Sequence, residues 1–510
     1  MAQNIEDIET KLWTAADELR GNQSAEEYMH IILGIISLKY ISDRFKVAKE
    51  KLKETGETLA DYPPREFYLA FEAFVVVEEA SWDYIMQFAN TNEIGIKLDH
   101  AFLLLEEKNL DLAGLFNKNY NSEGLDQIKL GNVVKVFSDE DFTQKGSEDL
   151  VGRIYEFFLG KFFKDRGQKG GEFYTPESIV KLMVNVLKPM TGTIYDPACG
   201  TGGILVQAKH YIEGHGGKIT NIFVYGQEYN SVTWKLAKLN LVLNSFPLED
   251  VKHHPVLGTR AADSFAADQH KGLKFDFAMA NPPFNMKKWG QDKLLDDPRW
   301  EWGLPPANNA NYAWLSMIVS KLNSHGKAAV VLANGSLSSS QNNELEIRKN
   351  FVKDNKIDAI IELPDKLFYT TGIPASIWFF NNDKKTDKIL MISPNAVKGR
   401  MRSKKLRELT DEDINGIVEL FDRHENGEDI NKEGIAKSVT QNDLAANDYS
   451  FVPGRYVGSV EEKVDKEAIK SEIKNLAGEL NQLLKEFDEL VPDVKKAIDQ
   501  AIAYDETKEE

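Results

Sequence analysis

Cysteine is almost missing from this chain: there is one in 510 residues, Cys199. That excludes a disulfide framework and a cysteine-ligated zinc site, and it fits a reducing cytoplasm. Long apolar runs are missing too. The longest near the amino end, 28–38, is broken by His30 and is too short to span a bilayer. No signal-peptide pattern opens the sequence, so a cytoplasmic chain with no membrane partner and no metal is expected. Positive charge is in deficit: 62 Lys and Arg stand against 80 Asp and Glu, leaving a net charge of −18. Affinity for a polyanion normally comes from clustered Lys and Arg, so this chain is not expected to hold such a partner alone.

What is present suggests several domains, because 510 residues exceed what one core accommodates. Ile5, Ile8, Leu12, Ala16 and Leu19 recur at helical spacing, and Arg20-Gly21-Asn22 ends that segment. Ser24-Ala25-Glu26-Glu27 reads as a capping box before an apolar helix to about Phe45. Helical pattern over 101–115 and 148–163 completes a mostly helical domain at 1–160, whose expected role is packing or docking.

From 161 the periodicity changes. A glycine-rich charged hinge at 164–171 leads to Phe173, Tyr174, Thr175 and Pro176, with Thr175 expected as N-cap and Pro176 as the first residue of a helix to Leu187. Residues 194–203 read as a strand entering the glycine-rich turn Asp196-Pro197-Ala198-Cys199-Gly200-Thr201-Gly202-Gly203, then an apolar helix at 204–211. An acid ahead of such a turn repels phosphate, so Asp196 favours a cofactor bearing an amine. This argues for S-adenosylmethionine and against NAD, with the Phe173–Pro176 turn covering it. A second strand ends in Glu228, placed for a ribose hydroxyl, and a helix follows at 231–243. Asp263, beside Ser264 and with Phe265 near for stacking, is expected to accept from the cofactor's adenine amine. Three acids at successive strand ends form an ordered set.

The apolar run 275–280 reads as a buried strand, and Pro282 and Pro283 end it because neither donates a ladder hydrogen bond. Asn281 is left at the strand's carboxyl end, and the φ-locked prolines stiffen its surroundings. The Asn281 amide oxygen and the Pro282 carbonyl then make two neighbouring acceptors, with Phe284 as an aromatic plate beside them. Two acceptors suit a planar amine whose lone pair is delocalised, because they draw its nitrogen toward tetrahedral geometry where positive charge develops.

Beyond the tetrapeptide, the irregular stretch 285–311 carries Arg299, Trp300 and Trp302, readable as a clamp on a nucleic-acid strand or as packing under the loop. A helix at 312–322, a strand at 327–332, a helix at 343–354 and a strand at 357–363 continue a β/α alternation. Runs at 375–380 and 388–393 read as a closing antiparallel hairpin. Charged helices and loops follow from 395, including an aromatic stretch at 441–457 with no evident role. Ile469, Ile473, Leu476, Leu480, Leu483, Phe487 and Leu490 then form a heptad seam closed by Pro492, which calls for a covering helix.

Asn281-Pro282-Pro283-Phe284 after a strand resembles the tetrapeptide of adenine-N6 DNA methyltransferases, and the cofactor turns precede it in the order of that family. The full set, Leu19-Arg20-Gly21-Asn22, Gly171–Pro176, Asp196–Gly203, Asn281–Phe284 and Pro453-Gly454-Arg455-Tyr456, is similar to the modification subunits of type I restriction-modification systems. The resemblance implies an α/β fold: a central Rossmann-like S-adenosylmethionine-dependent methyltransferase sheet at 161–395, with the helical domain 1–160 before it. A charged extension at 396–460 and a helical partner-docking tail at 461–510 follow. It implies methylation of N6 of an adenine flipped out of double-stranded DNA, with Asn281, Pro282, Pro283 and Phe284 catalytic. Phe173, Tyr174, Thr175, Pro176, Asp196, Ala198, Gly200, Thr201, Gly202, Gly203, Glu228, Asp263, Ser264 and Asn281 would hold the cofactor. The implied partners are a separate specificity subunit docked by the tail, a second copy of the chain, and a restriction subunit where a nuclease is present. Two rivals stand beside it: a self-sufficient methyltransferase of protein amides, and a non-catalytic assembly subunit.

Overall fold

The computed structural model describes residues 2–19, 24–140, 142–143, 151, 154–155, 157–162, 175–218, 221–244, 246–250, 252–341, 343–368, 373–403 and 406–458, and in the tail 474, 477–478, 480–482, 484–485, 487, 489–492 and 494–495. The hinge 164–171, the cover residues Phe173 and Tyr174, the Arg20-Gly21-Asn22 segment and the seam positions Ile469, Ile473, Leu476 and Leu483 lie outside the described residues.

The amino-terminal layer is helical: α1 (Ala2–Leu19), α2 (Ala25–Thr55), α3 (Pro64–Phe71), α4 (Trp82–Met86), α5 (Ile94–Lys108) and α6 (Gln127–Ser138). The capping box at the start of α2 is present, with the Ser24 hydroxyl accepting from Glu27 N and the Glu27 carboxylate from Ser24 N. The helix continues past Phe45 because Ala48 and Leu52 prolong its buried stripe, and it ends at Gly56, where φ is 77°. α5 starts earlier than its sequence pattern implies and stops at Asn109. That side chain accepts from Val75 N and donates to the carbonyls of Val75 and Leu105, ending the helix with its polar groups satisfied.

The segment after the hinge alternates α7 (Glu177–Leu187), β1 (Gly192–Asp196), α8 (Gly203–Gly214), β2 (Ile222–Gly226), α9 (Ser231–Leu243), β3 (Phe275–Ala280), α10 (Asn311–Ser320), β4 (Leu322–Ala333), α11 (Glu344–Lys353) and β5 (Ile357–Glu362). β6 (Ala375–Asn381) and β7 (Ile389–Ile392) follow, then a separate ribbon of β8 (Arg400–Ser403) and β9 (Leu406–Glu408), α12 (Asp411–Glu425) and β10 (Ala436–Val439). Among the described residues the main sheet has eight strands in the order β10-β7-β5-β6-β4-β3-β1-β2. One core packs on the face toward α7, α8, α9, α12 and the amino-terminal helices. The other packs under α10 and α11. This is an α/β methyltransferase-like sheet with helices on both faces.

Three sequence expectations change here. β6 and β7 do not form a hairpin: β6 lies antiparallel between β4 and β5, pairing Ser376 with both Leu332 and Glu362, and β7 runs parallel to β5 on its other edge. Every residue of β6 is buried, so two neighbours satisfy its backbone where a local turn would leave one edge open. Second, β10 lies beyond 395 yet is the sheet's edge strand, paired antiparallel to β7. Third, the aromatic stretch 441–457 acquires a role. Phe451 is fully buried edge-on to Trp378, with ring centroids 5.3 Å apart at 83°, and its N–H donates to Leu337 O. Arg348, itself buried, donates to Tyr449 O. The segment therefore lids the second core. Phe451→Ala is expected to lower unfolding stability by about 3–5 kcal/mol, read as a shift of the urea midpoint.

Met1–Gly458 forms one compact unit and Ser459–Glu510 a second. The described tail residues are all helical, and Leu480, Leu484, Phe487, Leu490 and Val494 stand exposed. Pro492 does not close the helix, since it and residues 494 and 495 are helical; proline's fixed φ is helical even though its donor is lost.

Candidate active site

The carboxyl ends of β1 and β3 are adjacent, because Ile194 pairs with Phe277 and Tyr195 with Ala278. Asp196 and Asn281, each at the end of its strand, therefore come to one rim. Between them opens a cavity of about 540 Å³, lined among others by Thr175, Asp196, Ala198, Gly200, Thr201, Gly203, Glu228, Asp263, Ser264, Asn281 and Pro283. Most of the residues singled out from sequence thus meet on one wall. Pro176, Gly202, Pro282 and Phe284 do not line it.

The glycine-rich turn is built by backbone need. Gly200 and Gly202 have φ of 54° and 81°, which side-chain-bearing residues adopt only rarely. A Cβ at Gly200 would meet no atom within 4 Å, so the backbone there is open to close approach. Gly202 instead sits at the start of α8, needed for its φ and not for contact with the cavity. Glu228 braces the turn: its carboxylate accepts from Gly200 N at 3.0 Å and from Asn230 N at 2.8 Å.

Asp196 has no solvent exposure. One carboxylate oxygen accepts from Ala198 N at 3.0 Å, and among the described residues Oδ2 has no hydrogen-bond partner. Burial pushes its carboxyl up to about 8, opposed by the Ala198 N–H and aided by the charge of Glu228. An unpartnered buried carboxylate oxygen on a cavity wall fits an ammonium group and disfavours a phosphate, so the residues present suit an amine-bearing cofactor.

Asn281 is 8% exposed, and its amide is oriented by a contact that sequence did not anticipate. Nδ2 donates to the Thr175 hydroxyl at 2.9 Å, which leaves Oδ1 buried and unpartnered as an acceptor. Thr175 is not an N-cap: α7 begins at Glu177 with Pro176 in the cap position and no side-chain cap. The tertiary demand of Asn281 takes the hydroxyl that a helix terminus would otherwise use. Thr175→Val is expected to reduce turnover about tenfold through the lost orientation, on the scale of one net hydrogen bond, while cofactor affinity measured by calorimetry changes little. Phe284 stands at 81° to Phe368, with ring centroids 5.9 Å apart.

Other expectations are corrected. Asp263 does not follow a ladder strand; it lies in the loop after a single bridge between Glu249 and Pro255, and its carboxylate accepts from Phe265 N and Ala266 N. Phe265 is buried behind the wall against Trp289 and Trp314, and it is these two tryptophans that line the cavity. Trp314 Nε1 is buried without a partner among the described residues. Nothing in the local pattern at 311–314 marks it, since it sits in an almost wholly buried helix. Trp300 and Trp302 form no clamp. Both are buried, donating to Leu294 O and Asp354, while Arg299 is held by Asp297 and by the carbonyls of Ser264 and Phe265. Indole burial in this loop outweighs exposure for binding. Tyr229, 75% exposed at the mouth, was also missed.

Among the described residues no helix is long and apolar enough to cross a membrane. The family profile described as N-6 DNA Methylase matches residues 146–465, and that of the HsdM N-terminal domain matches residues 8–137. The HindI type I restriction enzyme methylase subunit of Haemophilus influenzae is 37% identical over 78% of this chain and 90% of its own length. The MjaIX type I restriction enzyme methylase subunit of Methanocaldococcus jannaschii is 35% identical over 97% of this chain and 91% of its own. In fold, the chain is similar to the type I restriction-modification methyltransferase subunit of Streptococcus thermophilus, with a TM-score of 0.76 over 89% of this chain, all of that one, and 24% identity. With motif order, cavity and relatives in agreement, the chain belongs to the N-6 DNA methylases, as a methylase subunit of the type I restriction-enzyme family.

Proposed function

We propose that this chain methylates N6 of adenine in DNA, using S-adenosylmethionine, with the target sequence read by a separate specificity subunit. The observation that carries the reading is the pairing of two unpartnered buried oxygens on one cavity wall, Asp196 Oδ2 and Asn281 Oδ1. The first suits the cofactor's amine and the second the amine to be methylated. Gly200, Glu228 and Asp263 line the space between them and supply backbone approach and acceptors for ribose and adenine. Bound S-adenosylmethionine supplies an electrophilic methyl group on a sulfonium.

The chain's own residues do the rest. Thr175 holds the Asn281 amide so that Oδ1 faces an incoming N–H. Asn281 Oδ1 and the Pro282 carbonyl accept the two N6 hydrogens, localising the nitrogen lone pair and stabilising the charge that grows there. Phe284 offers a ring for stacking of the target base, which has to leave the duplex to enter the cavity. The proton is lost after transfer, so no strong base is required. The exposed tail residues Leu480, Phe487 and Leu490 suit packing against a helix of the specificity subunit, with a second copy of this chain flanking it and a restriction subunit adding nuclease activity where one is encoded.

The test combines the purified chain and its specificity subunit with DNA and methyl-labelled cofactor. N6-methyladenine that depends on the specificity subunit is expected. Label in protein glutamine, or label without that subunit, would overturn the reading.

A further inference from the structure

The β8–β9 ribbon concentrates positive charge in this acidic chain. Between Lys398 and Glu408 the sequence carries Lys398, Arg400, Arg402, Lys404, Lys405 and Arg407 against a single carboxylate, in a chain of net charge −18. The ribbon is a sheet of two strands only. Strand alternation divides its side chains: Met401 and Arg407 share one face by direct pairing, and Arg400 and Arg402 share the other with Glu408. Arg407 faces the body of the protein and anchors there. Its N–H donates to Lys366 O and its guanidinium pairs with Asp365 at 3.2 Å. The side chains of Arg400 and Arg402 remain 68% and 50% exposed; both pair with Glu408, and Arg400 also lines a small pocket with Glu177, Lys181 and Asp411.

Two contacts tie this ribbon to the active site. The loop that Arg407 grips carries Phe368, whose ring meets Phe284 of the tetrapeptide. At the ribbon's other end, Leu409 N donates to Ser178 Oγ, three residues along from the Thr175 that orients Asn281. Lys287 and Lys288, shortly after the tetrapeptide, are exposed as well, and Lys288 lines the cavity. The geometry points to the ribbon as a contact for the DNA phosphate backbone flanking the flipped adenine, with Arg400 and Arg402 as the phosphate-binding residues. It rests on the reading that the cavity acts on DNA. Phosphate fits the observations better than an acidic protein segment because the ribbon is linked on one side to Phe284 of the tetrapeptide and on the other to the helix start beside Thr175, so its cations flank the groups that would receive a base carried on a phosphodiester chain.

The assembled complex of chain and specificity subunit is compared with its Arg400→Gln/Arg402→Gln form by measuring DNA affinity as a function of salt. Each phosphate contact contributes about 0.9 to the slope of log affinity against log salt, so loss of two is expected to flatten the slope by about 1.8. Between about 50 and 200 mM salt the wild type should then lose roughly tenfold more affinity than the variant. The weakening should be equal on cognate and non-cognate DNA, and Arg400→Lys/Arg402→Lys should restore the slope. A control pair on α2, Lys51→Gln/Lys53→Gln, should leave it unchanged. An unaltered slope in the arginine variant overturns the proposal, as does failure of that variant to assemble, which would make the ribbon a protein-docking surface. The measurement needs no turnover. A wild-type complex that binds DNA with this slope but leaves adenine unmethylated sinks the proposed function and not the ribbon.

Discussion

Asn281→Ala is expected to lower methyl transfer by about 10²–10³-fold while S-adenosylmethionine still binds, the scale seen when one preorganised charge-stabilising group is removed from an active site. The expectation follows from what the side chain touches. Among the described residues its side chain bonds to Thr175 alone, through Nδ2, and Oδ1 is buried and unpartnered in the cavity wall. Truncation removes the acceptor and leaves the fold's ladder intact, because β3 ends at Ala280. Single-turnover rates on DNA with saturating cofactor give the transfer step directly, and calorimetry gives the cofactor affinity. Asn281→Asp keeps an oxygen but replaces the donor to Thr175, so an intermediate loss is expected. A rate for Asn281→Ala within a few-fold of wild type would remove the central claim about the tetrapeptide.

Asp196→Asn is expected to produce two effects of opposite sign. Cofactor affinity should fall by about 10²–10³-fold, because the neutral amide cannot pair with an ammonium at this buried position. Thermal stability of the cofactor-free protein should rise. The reasoning is one of proton linkage: the carboxyl titrates at about 8 when folded, against about 3.9 in an unfolded chain. Between those values the folded state holds a proton that the unfolded state has released, so stability contributed by this group declines as pH rises from about 4 to about 8. An amide has no such penalty. Wild-type melting temperature should therefore drop across that window more steeply than the variant's, and cofactor should rescue only the wild type. Binding itself should be tightest near pH 8. On the acid side Asp196 must shed a proton to form the pair, and on the alkaline side an α-amine of pKa about 7.7–8.0 loses its own. Equal melting profiles for the two proteins across pH 4–8 would show that Asp196 is not the strained group.

Much of this site was legible in the chain because its parts are marked by residues with few conformational options. Pro282 and Pro283 had to end β3, and Gly200 and Gly202 had to supply the turn before α8, so the strand ends carrying Asp196 and Asn281 could be located without coordinates. The α9 helix was read to its boundaries, since Asn230 caps it locally by accepting from Val232 and Thr233. What failed was non-local. The partners of β6 are β4 and β5, and no feature of 375–393 tells an apolar run to reach past its neighbour into the middle of a sheet. Thr175 satisfied every local rule for a helix cap, yet Asn281, distant in sequence, claims its hydroxyl. The tryptophans at 300 and 302 fail for a different reason: an indole suits a base or a core equally, and only the positions of Leu294 and Asp354 decide. The tail's seam was visible as a pattern, but its covering helix belongs to another chain in the reading proposed here, so no single sequence contains the answer.

The insertion of β6 has a bearing on how this protein comes to exist. As synthesis proceeds from the amino end, β4 emerges with one flank satisfied by β3 and the other bare, and it stays so until residue 381 has left the ribosome. β7 in turn waits for 436–439, and Trp378 for Phe451. The half of the sheet that carries Asp196 and Asn281 is thus translated well before the strands that seal it, leaving hydrogen-bonding edges open to wrong partners in the interval. A shortened version stopping at 395 would live permanently in that unfinished condition, and nascent-chain chaperones should be found on the natural one until its final third has arrived.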